Sequence, residues 1–151
     1  MNLSDYLSYY ADFVSEDGGY SVTVSHEDFS KNLPITSEWV TCGDDLEDAV
    51  SMARDLIITI AESFIESKVP FPKRTQKKEG QHEINLPVHV ALKIMLRTLM
   101  VQDKIKVTDL ATLMNTSKQN VRQMLDLRKK THIDHLAAMF RAVNHPLKIE
   151  C

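Results

Sequence analysis

The sequence predicts an α+β chain: an N-terminal three-stranded antiparallel sheet with one packed helix, a linker, and a C-terminal helical domain containing a helix-turn-helix. Three observations predict it. Residues 1–42 hold β-branched and aromatic runs broken by an Asp-Gly turn signal, residues 44–67 carry one continuous apolar face at helical spacing, and residues 87–140 repeat that spacing in several short segments. Between the halves, "VPFPKRTQKKEGQ" at 69–81 has two prolines, a glycine and no hydrophobic period. It reads as a linker at 70–81 between domains at 1–69 and 82–151. Both domains are at the small end for independent folding, so help from self-association is expected.

The strands come first. "YLSYYADFVS" and "GYSVTVS" are joined through "EDGG", whose Asp-Gly suits a tight hairpin turn, and "SEWVTC" reads as a third strand after a loop at 26–37, "HEDFSKNLPITS". In the helix that follows, Asp44 can cap and Glu47 can complete a capping box. Leu46, Ala49, Val50, Ala53, Leu56, Ile57, Ile60, Ala61 and Phe64 then mark one apolar face.

Past the linker, Pro87 opens a helix with Val88, Ala91, Leu92, Met95, Leu99 and Met100 on one face; Ile133, Leu136, Ala137 and Phe140 mark another near the end. The tail "LKIEC" is long enough to pair as an edge strand, with "HEINL" at 82–86 or with a second subunit. Between these helices lies "VTDLATLMNTSKQNVRQMLDL", residues 107–127. Leu110, Ala111 and Met114 put a stripe on a first short helix, and Val121, Met124 and Leu125 put one on a second. Ala111 suits a close crossing, and Asn115 suits a turn that needs φ > 0. Thr108 can cap the first helix and Ser117 the second.

With the stripes turned inward, Lys118, Gln119, Asn120, Arg122 and Gln123 face out, as amides and guanidinium groups that read base edges in the major groove should. Arg128, Lys129 and Lys130 follow at once, where phosphates would lie. Residues 81–151 hold 11 basic and 6 acidic side chains, so charge supports the spacing. DNA binding by Ser117, Lys118, Gln119, Asn120, Arg122, Gln123 and the basic triplet is the expected role, on double-stranded operator DNA and as a two-fold homodimer or higher oligomer.

The N-terminal half is opposite in sign, with 14 acidic and 3 basic residues at positions 1–69. No apolar run is long enough to cross a membrane and no signal peptide is visible, so a cytoplasmic protein is expected. Cys42 and Cys151 form neither a disulfide framework nor a Cys-x-x-Cys pair. Catalysis is not expected. A two-metal nuclease needs several converging carboxylates; Asp12 alternates suitably with Tyr10 and Val14 but lacks companions, and the acidic pairs at 27–28, 44–45 and 47–48 sit in a loop and at a helix start. His132 and His135 are three apart with no third ligand spaced near them, and surface or capping roles explain them. No cofactor or metal is expected.

The order of "GGYSVTVS", "TCGDDLEDAVSMARDLI", a proline-bearing linker and "INLPVHVALKI" leading into a helix-turn-helix resembles the HicB-type antitoxins of bacterial toxin–antitoxin pairs. The resemblance covers nearly the whole chain. It implies that the N-terminal domain is a reduced ribonuclease H fold without its active site, which blocks a small basic toxin, a HicA-like enzyme that cleaves messenger RNA. It implies that the C-terminal domain represses the operon encoding both partners. The loop at 26–37 is longer than the proline-glycine turn of many relatives. An acidic domain would attract such a toxin, with Asp12, Glu16 and Asp17 on the hairpin and Glu27 and Asp28 in the loop as candidate contacts. The alternative is a one-component transcription regulator whose acidic domain senses a small ligand in a concave apolar pocket.

Overall fold

The computed structural model describes residues 2–27 and 39–148. The element order is α1 (Ser4–Leu7), β1 (Ser8–Glu16), β2 (Gly19–Ser25), β3 (Val40–Gly43), α2 (Leu46–Glu66), β4 (His82–Asn85), α3 (Val88–Gln102), α4 (Val107–Leu113), α5 (Lys118–Leu125) and α6 (Ile133–Ala142). The chain divides into two compact units, Met1–Ser63 with Pro72–Pro87, and Phe64–Phe71 with Val88–Cys151.

The first unit is a four-stranded antiparallel sheet in the order β3-β2-β1-β4. β1 and β2 form the expected hairpin, with Glu16 paired to Gly19 across a two-residue turn. Asp17 and Gly18 both take positive φ, 43° and 82°, the geometry that matches the twist of the flanking strands. Three strands were expected; the fourth is "HEIN", which pairs with β1 from Ser8↔Asn85 to Ala11↔His82. Its partner lies some seventy residues earlier, so no local turn signal announces the pairing. The first expected strand also starts later, because residues 4–7 form a helical turn.

Alternation places Tyr9, Ala11, Val22, Val24 and Ile84 on one face, all buried, with Trp39 beside Tyr9 at 6.1 Å between ring centres. α2 crosses the sheet. Its start meets the end of β3, where a Cβ on Gly43 would stand 2.4 Å from the Ala49 nitrogen, and its Arg54 Nε donates to the Asn85 carbonyl on β4 at 2.7 Å. Ala49, Ala53, Ile57 and Ala61 are fully buried at four-residue spacing, so the contact face is built largely of small side chains. The helix cap is one residue later than the sequence suggests. Asp45 Oδ1 accepts from the Asp48 N–H, and Asp48 Oδ2 accepts from the Asp44 N–H, so Asp48 takes the place expected of Glu47.

Residues 72–81, read from the sequence as linker, are tied to this sheet. The buried Tyr9 hydroxyl donates to the Pro72 carbonyl at 2.7 Å, and burial raises the Tyr9 pKa well above its ordinary value. Arg74 N–H donates to the Asp5 carbonyl, and Gln81 Nε2 donates to Asp12 and Ser25. These bonds are long-range, which sequence spacing cannot reveal.

In the second unit α3 is buried on nearly every side, from Val90 to Leu96 and again from Thr98 to Met100, and packs with α6, while α4 packs with α5. Among the described residues no helix is long and apolar enough to cross a membrane. Asp28, most of the 26–37 loop, and the tail from Ile149 lie outside the described residues.

Candidate functional site

The face of the sheet opposite α2 carries, among the described residues of this unit, Arg74 over Tyr10 and Gln81 over Asp12 and Ser25, and is exposed beyond them. Cross-strand register sets its side chains in rows: Glu83, Tyr10 and Ser25; then Asp12, Thr23 and Val40; then Val14, Ser21 and Cys42. Val14 is 53% exposed and Val40 42%, while Asp12, Glu16 and Glu83 are exposed around them. Of the expected acidic contacts, Asp12 is therefore on this face, although its Oδ2 already accepts from Gln81 Nε2 at 3.2 Å. Glu16 ends β1 and Asp17 sits in the hairpin turn. Glu27 is elsewhere occupied: its N–H donates to the Lys73 carbonyl and its carboxylate accepts from the Lys73 N–H. Asp28 lies outside the described residues. Sequence reasoning missed Glu83 and Val40. The period-2 pattern of β1 already placed Tyr10 and Val14 beside Asp12, but only the β4 and β3 pairings bring Glu83 and Val40 to the same surface.

The second surface is built by α4 and α5. Leu110, Ala111, Val121, Met124 and Leu125 are buried between the helices and the core, whereas Met114 is only half-buried. Asn115 takes φ 53° at the turn, as its position suggested. Ser117 Oγ caps α5 by accepting from the Asn120 N–H at 3.0 Å. Thr108 does not cap α4; it lies inside the helix, Lys106 is the N-cap, and Asp109 accepts from the Lys106 N–H at 2.9 Å. A carboxylate at the third position of the helix thus reaches back to the N-cap N–H, one half of a capping box, in place of a hydroxyl at the cap.

Lys118, Gln119, Asn120, Arg122 and Gln123 are all exposed, so the outward face of α5 is the one expected. Asn120 is partly committed, donating from Nδ2 to Thr116 Oγ1 at 2.9 Å. Arg128, Lys129 and Lys130 are exposed on the turn after α5. That turn is ordered from within: Arg128 N–H donates to Asp126 Oδ1 at 2.9 Å, Lys129 N–H to the Asp126 carbonyl, and Thr131 Oγ1 to the Met124 carbonyl.

The histidines have local work. His132 Nδ1 caps α6 by accepting from the Asp134 N–H at 3.2 Å, and the His132 and His135 ring centres are 6.1 Å apart. Among the described residues, no three His, Cys, Asp or Glu side chains gather as a metal-holding group. Cys42 is a free, exposed thiol.

Residues 8–95 match the HicB-like antitoxins of bacterial toxin–antitoxin systems, more than half of the chain. The chain belongs to the HicB-like antitoxin family. It is 32% identical to Antitoxin HicB 1 of Photorhabdus laumondii subsp. laumondii, over 89% of this chain and 79% of that relative. It is 27% identical to Antitoxin HicB 2 of the same organism, over 90% and 98%, and 25% identical to Antitoxin HicB of Escherichia coli K12, over 88% and 90%. The family match spans the sheet, α2 and β4 and stops within α3. The α4–α5 pair lies beyond it.

Proposed function

We propose that this HicB-like antitoxin binds and blocks a small basic toxin, a HicA-like messenger-RNA-cleaving enzyme, through the face of its sheet opposite α2. We further propose that it represses its own operon through α4 and α5. The toxin half of the reading rests on one observation: a sheet face on which Val14 and Val40 are exposed among the exposed carboxylates of Asp12, Glu16 and Glu83. Exposed apolar side chains interspersed with charged ones suit a protein–protein contact, and carboxylates suit a partner that must be basic to hold RNA. The chain is read as a binding protein rather than an enzyme.

The DNA half rests on the exposed polar face of α5 between a capped N-terminus and a basic turn. Placed in a major groove, Lys118, Gln119, Arg122 and Gln123 can reach base edges while Ser117, Arg128, Lys129 and Lys130 meet phosphates. The proposed mode is that of other such helix pairs, a two-fold dimer over half-sites about one DNA turn apart.

Co-purification with the product of the adjacent gene tests the first half. Substituting Val14 and Val40 together with aspartate should abolish capture, and capture equal to the parent would reject that face. Operator titration tests the second half. Arg122→Ala should lower specific affinity by about 1–3 kcal/mol, while Lys129→Ala should weaken all duplexes alike and reduce the salt slope by roughly one. Parental behaviour in both variants would reject α5 as the reading helix.

A further inference from the structure

Lys93 carries a cost that packing alone does not explain. It lies on α3 at 0% exposure, between apolar neighbours in sequence, and a buried ammonium is expensive unless its donors are matched. They are matched by backbone: Nζ donates to the carbonyl of Asp126 at 2.7 Å and to the carbonyl of Lys129. Both carbonyls belong to the turn between α5 and α6. The Asp126 carbonyl also accepts from the Lys129 N–H, and the Asp126 side chain holds the Arg128 N–H. One buried cation thus ties both ends of a turn whose outer side carries Arg128, Lys129 and Lys130.

We propose that Lys93 is a positioning residue for DNA binding, fixing the 126–130 turn so that its three cations meet consecutive phosphates while α5 occupies the groove. The proposal rests on the DNA-binding reading above. Lys93 itself lies behind the turn backbone and does not face solvent, so it acts through the turn. The titratable groups around it feel its burial: burial draws the Lys93 pKa down to about 8 against the pull of Asp126, and the His89 pKa, one turn earlier on α3, is lowered by burial and by both Lys93 and Lys130. A methionine would fill much the same space without this electrostatic cost, so what the lysine adds is its pair of bonds to the turn.

The test uses the full chain and Lys93→Met, with thermal unfolding and toxin capture as folding controls. Duplex affinity is measured by fluorescence anisotropy across a salt series, on operator and on random sequence. The expected result is an affinity loss of roughly tenfold or more, equal on both duplexes, with a salt slope reduced by about 0.9 for each phosphate that the displaced cations no longer reach. A merely structural role would lower the active fraction and leave the slope unchanged, so a parental slope in Lys93→Met overturns the proposal. If the parent shows no operator preference and Arg122→Ala binds like the parent, the DNA-binding reading itself fails and takes the proposal with it. Should Lys93→Met not fold, backbone order in the DNA-free parent decides: order parameters near 0.85 for Arg128–Lys130 support a turn fixed in advance, and values below about 0.6 overturn it.

Discussion

At the scale of single residues, Lys93 sets charge against stability in a way that pH can read. Its pKa falls from an ordinary 10.5 to about 8, chiefly through burial, with Asp126 opposing. Between these values the unfolded chain holds a proton that the folded chain has released, so stability rises with pH across that window and is lowest below it. The whole effect is worth up to about 3 kcal/mol. Urea unfolding of parent and Lys93→Met from about pH 7 to about pH 10 should show the parent gaining on the variant; curves that stay parallel would mean an ordinary lysine. Nothing in the sequence marks Lys93, because a stripe read at helical period assigns a lone lysine to the solvent side, and its partners are 33 and 36 residues away. Asn115 and Ser117 were legible, since a left-handed turn residue and a helix cap are local matters. Asn115 at φ 53° gives a sharp expectation. Asn115→Ala should cost roughly 1 kcal/mol in thermal or urea unfolding, because alanine keeps the Cβ that the left-handed region penalises and lacks the polar side chain that offsets it, and Asn115→Gly should cost less, since glycine has no Cβ. Equal losses would point to the side-chain amide instead.

At the scale of elements, what was legible again followed range. The β1–β2 hairpin was readable from Asp17-Gly18, and α2 from its apolar period; β4 was not, because its pairing with β1 spans most of a domain. The acidic surface suffered the same limit: Asp12 could be placed on an alternating strand, but Glu83 joined it only through that pairing. Of the glycine positions, the junction of β3 and α2 at Gly43 is the tightest. A methyl group on Gly43 would meet the Ala49 nitrogen at 2.4 Å and the Ala49 Cα at 2.5 Å, backbone atoms that cannot swing aside. Gly43→Ala should therefore push α2 off the sheet at a cost of about 1–3 kcal/mol or more, and weaken toxin capture with it. Gly18→Ala is the control: nothing lies within 4 Å of its Cβ, so only the strain of φ 82° is paid, roughly 1 kcal/mol. Melting temperatures ranked the other way would show that the β3–α2 contact is looser than its geometry implies.

At the scale of the molecule, the charge division was plain from the sequence, but the boundary that makes it usable was not. Cutting at residue 69 looks natural where the prolines begin. Such a fragment would discard β4, the Pro72 carbonyl that receives the buried Tyr9 hydroxyl, and the Gln81 amide that bridges Asp12 and Ser25. It would leave β1 an unpaired edge and take the Pro72 carbonyl away from the Tyr9 hydroxyl, a lost hydrogen bond worth about 1 kcal/mol. A fragment of residues 1–87 should therefore fold cooperatively, bind the basic toxin and protect cells that express it, whereas residues 1–69 should do so poorly. The 1–87 fragment should lose operator binding entirely, having neither α4 nor α5. Its association with the toxin should be fast at low salt and slow steeply as the Debye length shrinks from about 10 Å at 0.1 M to about 3 Å at 1 M, because steering by a carboxylate-rich face acts over that distance. Circular dichroism fixes whether each fragment is folded, and stopped-flow mixing gives the rate. A folded 1–87 fragment that ignores the toxin would mean that this sheet face is not the contact, and a rate indifferent to salt would mean that its carboxylates do not guide the encounter.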